Sequence, residues 1–203
     1  MNAHEMTTRV KLAAAFPVEY GAQASLAATD AAKRLPQLQM AERFCVKLGR
    51  ETVWIPERLY FASEQPKLAE HSEAWRFARA LQTRSDDGFE RQRAARDLLV
   101  NLEPWAAPFI VALIGDYVVE ILDEIDSGMT PAVEQTLAAF ISDNPDFWNI
   151  VKQRVASYWD VYYRARWLGD HCGRAEQRHE YVGFRLIQRL GSVALQHMAA
   201  SDE

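Results

Sequence analysis

Arg91 is the residue with most need of a partner. Ala94, Ala95, Leu98 and Leu99 recur at helical spacing, and Arg91 projects from the middle of the apolar face they define. A guanidinium placed there requires a carboxylate, because an unpaired buried charge costs several kcal/mol. Asp116 and Glu120 are the nearest candidates in sequence, one helical turn apart. With Tyr117 between them, two readings follow. Arg91, Asp116, Tyr117 and Glu120 form a polar pocket that grips a small molecule, or Arg91 and a carboxylate form a structural ion pair between helices.

Three further constellations lie towards the C-terminus. Arg174, Arg178, Arg185 and Arg189 fall within about 60° of one another on a helical wheel. Val182, Leu186, Leu190 and Val193 lie opposite them. Such a stripe suits phosphate, an acidic partner, or the chain's own acids. His171 and Cys172, with Glu176 and His179 in an E-x-x-H spacing, are the chain's metal-like cluster. Di-iron bundles use two E-x-x-H motifs plus two more glutamates, and here there is one. His179 is expected instead as a buried, neutral ring bonded to Glu176 or to backbone. Last, the segment Asp146 to Leu168 is rich in aromatics. Val151, Val155, Tyr158, Trp159 and Tyr162 make its core stripe, while Tyr163 and Trp167, beside Arg164 and Arg166, lie off it as an interaction surface.

Other chemistry is not signalled. There is no Gly-rich phosphate loop, no G-x-S-x-G and no C-x-x-C or H-E-x-x-H, so no cofactor is expected. The chain has 203 residues, a net charge of −5, 49% hydrophobic and 25% charged residues. That composition is an ordinary globule's, and the acidic balance disfavours a nucleic-acid binder. The charge is uneven: residues 101–151 contain nine acids and no Lys or Arg, whereas residues 152–189 contain eight bases and four acids. The two stretches are expected to face each other, or to mark a binding surface. No apolar run is long enough for a membrane span or a secretory signal. Two cysteines far apart suit reduced thiols in a cytoplasm.

The elements that must position these residues are mostly helical. Residues 1–40 read as a partly helical N-terminal extension, ahead of one α-rich domain over 41–203. Between residues 43 and 60, β-branched and aromatic residues flank Gly49-Arg50-Glu51, which predicts a small β-hairpin ended by Pro56. It must lie against helices to be stable. Helices are predicted over 67–83, 89–101, 131–141, 146–168 and 174–198, with Asp143-Asn144-Pro145 breaking the chain and capping the fourth of these. A single long helix is predicted over 103–126. The fold class is mainly α: a helical bundle or short HEAT-like stack with one hairpin.

Two likenesses meet on this central region. The run from Asp86 to Ile114 resembles one unit of a HEAT-type repeat, through Asp86-Asp87, Arg91 to Ala95, Leu98-Leu99, Pro104 and Phe109 to Ile114. The chain holds no clear second copy, and an array needs about three. The same region resembles an uncharacterised family of bacterial proteins with a DG[FY]-x-R-x-R turn followed by PF-x-x-x-L-x-G-x-YV-x-EI. The matching residues are Asp87, Gly88, Phe89, Arg91 and Arg93, then Pro108, Phe109, Leu113, Gly115, Tyr117, Val118, Glu120 and Ile121. That likeness implies a helical fold and no particular activity. The sequence is thus expected to encode a non-enzymatic cytoplasmic interaction or regulatory protein. It would bind a protein partner, or itself, through helix faces. The alternative is a small-molecule-binding or metal-dependent helical enzyme centred on Arg91, Asp116 and Glu120.

Overall fold

The computed structural model describes residues 3–36, 42–62, 65–164 and 179–201. The fold is mainly α with one two-stranded antiparallel hairpin. Its elements are α1 (Ala3–Ala13), α2 (Gly21–Arg34), β1 (Arg43–Leu48), β2 (Glu51–Pro56), α3 (Glu73–Gln82), α4 (Gly88–Leu99), α5 (Ala107–Ile114), α6 (Val119–Ser127), α7 (Pro131–Asp143), α8 (Pro145–Tyr158) and α9 (Val182–Ser201). A 3₁₀ turn, Pro104–Ala106, leads into α5, and a π-helical turn, Trp159–Tyr163, extends α8.

Every residue of α5 is buried. A helix that is apolar all round belongs at the centre of a fold, and α5 packs against α6, α7 and α8. Around it the neighbours run α1–α2–α3–α4–α6–α9–α7, and the hairpin returns from α7 to α1. Residues 3–34, expected as an extension, contribute Ala24, Ala27, Ala28 and Ala31 to the same core. Phe16 follows them inward and meets Phe77, Phe109 and Trp105, with Phe77 and Trp105 stacked at 4.1 Å.

The hairpin forms as the sequence predicts. Arg43 pairs with Pro56 and Leu48 with Glu51. Gly49 supplies the positive φ of 58° that the tight turn demands. Val46, Val53 and Ile55 are buried on one face, and Phe44 stacks on Phe147 of α8 at 4.8 Å. One side chain pairs with the outer edge of β1 at Lys47. The Asn144 amide accepts from Lys47 N (2.8 Å) and donates to Lys47 O (3.0 Å) and Phe140 O (2.9 Å). Asn144 therefore stands at the start of α8 without capping it through its side chain. It ties the strand edge to the end of α7 instead.

One prediction fails outright. Residues 103–126 are not one helix: α5 ends at Gly115, and α6 begins at Val119. The Asp116 side chain accepts from Val118 N at 3.1 Å, which starts α6 afresh as an Asx-type turn does. A Cβ on Gly115 would lie 3.3 Å from Arg154 Cβ, so α8 crosses close to the break. Periodicity alone could not find this break, since the apolar residues on either side of it remain in phase.

Asn144→Ala should lower stability by about 2 kcal/mol, because it removes three hydrogen bonds and strands partly buried backbone groups. Urea unfolding measures this, and a midpoint unchanged from the parent would contradict it.

Candidate functional site

Five segments meet around Arg91: the end of the hairpin, the turn between α3 and α4, α4 itself, the break between α5 and α6, and α8. The first two are zipped by backbone. Leu59 N donates to Arg84 O (2.7 Å), and Asp86 N donates to Leu59 O (2.9 Å). Side chains reinforce the seam: Arg84 donates to Pro56 O and Glu57 O, and Arg58 donates to Ser85 O. Asp87 caps α4 by accepting from Phe89 N at 2.8 Å, the role its place ahead of a helix suggests.

Arg91 fastens the seam to the α5–α6 break. Its side chain is 0% exposed, and its Nε lies 2.9 Å from Asp116 Oδ2. One Nη donates to Asp116 Oδ1 at 3.1 Å, and the other to Ser85 O and Asp86 O. Both Nη nitrogens are thus hydrogen-bonded, while Nε makes the ion-pair contact without a hydrogen bond of its own. Asp116, itself buried, also takes Val118 N and faces Arg58 at 4.0 Å. Glu120, the other carboxylate offered by sequence, is exposed on α6, and among the described residues Arg91 pairs with Asp116 and not with it. Tyr117 is exposed, with its ring 5.7 Å from the Arg91 guanidinium carbon. The two central motifs thus converge on one hub: Asp87 and Arg91 come from the first, Gly115 and Tyr117 from the second.

Sequence reasoning missed the other cations of this hub. Arg84 is buried without a carboxylate of its own, and burial, then the Arg58 guanidinium, pushes it down to about 9. It is still a cation at neutral pH. Arg154 reaches Glu57 at 3.4 Å. Arg58, Arg84, Arg91 and Arg154 therefore gather around two carboxylates, Asp116 and Glu57. No signal in sequence could assemble them, since they come from four separated segments. Arg79 forms a second buried network, with Asp97 at 2.6 Å, Glu90 at 3.6 Å and Gln82.

The aromatic segment is rearranged by the π-helical turn. Arg164 N donates to Trp159 O at 2.7 Å, an i to i−5 bond that inserts one residue into the helical phase. Tyr163 consequently takes the inward place that plain α periodicity gives to Tyr162. Expected on an outer surface, Tyr163 is buried, stacks on Tyr181 at 4.9 Å and donates to Tyr117 O at 2.6 Å. Expected in the core, Tyr162 is 51% exposed. It joins Tyr117 and Tyr158 in a triad with ring centroids 5.9 to 6.1 Å apart.

The C-terminal expectations divide. Arg185 and Arg189 are exposed on α9 and spend their charge internally: Arg185 meets Asp126 at 3.0 Å, and Arg189 meets Glu134 at 2.9 Å. Arg174 and Arg178 lie outside the described residues, as do Trp167, His171, Cys172 and Glu176. His179 is exposed in a turn ahead of α9, where no helical spacing aligns it and no apolar neighbours bury it. Its expected burial is therefore wrong. Among the described residues no group of three or more His, Cys, Asp or Glu could hold a metal ion, and no helix is long and apolar enough to cross a membrane.

Comparison with known proteins finds no family model that matches the chain, and no curated protein or solved structure significantly similar to it.

Arg91→Ala leaves Asp116 charged and buried and deprives the Asp86 carbonyl of its side-chain donor, and should cost roughly 3 kcal/mol. Denaturant unfolding measures it; a loss below about 1 kcal/mol would mean that the hub relaxes without the pair.

Proposed function

We propose that this chain is a non-enzymatic, cytoplasmic interaction and regulatory protein. Its contact face is the Tyr117–Tyr158–Tyr162 triad flanked by Arg58 and Arg154. The observation that carries the reading is the triad itself. Three tyrosines touch one another, and two of them, Tyr117 at 44% and Tyr162 at 51%, keep about half their surface in solvent. Exposed aromatic clusters beside arginine have the composition of interface hot spots, because rigid rings contribute contact area at little entropic cost. The face is held in place from beneath. Tyr117 follows Asp116, and its carbonyl accepts from Tyr163.

The arginines at the edge of the face select the partner. Arg58 and Arg154 keep 31% and 34% of their side chains exposed, so an acidic protein surface is complementary and a basic one is repelled. Self-association is the other form of the same reading, with a second copy supplying the exposed Glu120 and Asp123 of α6. The Arg91 guanidinium, wholly buried beneath the surface, serves as support for this face.

The test is photo-crosslinking in the native host, with p-benzoylphenylalanine in place of Tyr162 and, as control, in place of Val100, which is 84% exposed on the far end of α4. The expected result is a discrete protein adduct at 162 alone that disappears in an Arg58→Glu, Arg154→Glu background. No adduct at 162, or the same adducts at 100, would contradict the proposal.

A further inference from the structure

A cleft of about 420 Å³ lies between α7, α8 and α9, away from the arginine hub. Its walls are mainly apolar: Ile141, Trp148, Ile187 and Leu195 line it, with Ser142, Asn149, Gln188 and Ser192 as its uncharged polar members, and Leu195 leaves 69% of its surface in solvent. Gly191 forms part of the floor, where an added Cβ would meet nothing within 4 Å. The depth of the cleft thus depends on a missing side chain. At its edge stands Lys152, half-buried and free of any ion pair among the described residues. No Asp or Glu lines the cleft. This contrasts with the arginines of the hub and of α9, each of which has a carboxylate or carbonyl partner.

From this arrangement we infer a binding site for a small amphipathic anion, an alkyl-chain carboxylate whose tail fills the cleft and whose head meets Lys152. The volume is within the ordinary range for small-molecule sites. The apolar walls favour a hydrocarbon body, and one uncompensated ammonium at the rim favours a single negative head. The lysine's flexible stem can follow the head group while its methylenes cover the tail.

Isothermal titration with octanoate, decanoate and dodecanoate, each below its critical micelle concentration, tests the inference. One-to-one binding should tighten about fourfold per methylene, and the matching alcohols should bind more weakly than the acids. Lys152→Met should erase the preference for acid over alcohol and keep the dependence on chain length. Gly191→Leu should abolish binding of both. Leucine is a better helix former than glycine, so this variant should melt no lower than the parent, which separates a filled cleft from a misfolded chain. The proposal is overturned if the parent binds none of these acids, if Gly191→Leu binds like the parent, or if Lys152→Met retains the acid preference. A parent that ignores the acids but dimerises, with the dimer lost in Gly191→Leu, would also overturn it, giving the cleft to a second copy.

Discussion

A buried charge must be answered, and in this chain the answer sets the architecture. Arg91 is wholly enclosed, and its nitrogens reach Asp116 and the carbonyls of Ser85 and Asp86. To serve it, the α3–α4 turn must turn its carbonyls inward, and the central apolar helix must stop at Gly115 so that Asp116 can face α4. Once Asp116 is held there, it also nucleates α6 through Val118 N. One ion pair therefore explains a broken helix, the course of a turn and the place of the hairpin zipped to that turn. Such a pair adds little net stability over an apolar substitute. Its effect is to make other arrangements of these segments costly.

The sequence revealed part of this design. Arg91 on an alanine and leucine face announced a buried cation, and the carboxylates of the following segment supplied its partner. The hairpin was legible because its chemistry is local: β-branched residues, a glycine turn and a closing proline. The break after Ile114 was not legible, since it depends on Asp116 meeting Arg91 across 25 positions and on Arg154 crossing near Gly115. Arg84 was hidden for the same reason. Its partners are carbonyls of Pro56 and Glu57, and backbone acceptors leave no mark in a sequence.

The π-helical turn after α8 shows how a shift of one residue alters the surface as well as the packing. Helical periodicity sorted the tyrosines by a fixed 100° step, yet the i to i−5 bond at Arg164 exchanges the places of Tyr162 and Tyr163. Tyr163 is turned in to support the Tyr117 carbonyl, and Tyr162 is turned out to join the exposed triad. His179 teaches the complementary lesson. Its inward placement rested on a helix running through it, and α9 starts only at Val182. The arginines of α9 turn to the acids of α6 and α7, so the uneven charge along the chain is partly consumed within the fold.

The most direct measurement of the hub is a double-mutant cycle in denaturant with Arg91→Met, Asp116→Leu and both together. Loss of the Val118 cap is common to both variants lacking Asp116, so it cancels in the cycle. If the pair governs the arrangement of these segments, the two single losses should sum to more than the double loss by at least about 2 kcal/mol. Losses that simply add, to within about 0.5 kcal/mol, would mean that Arg91 and Asp116 act independently, and would contradict the account.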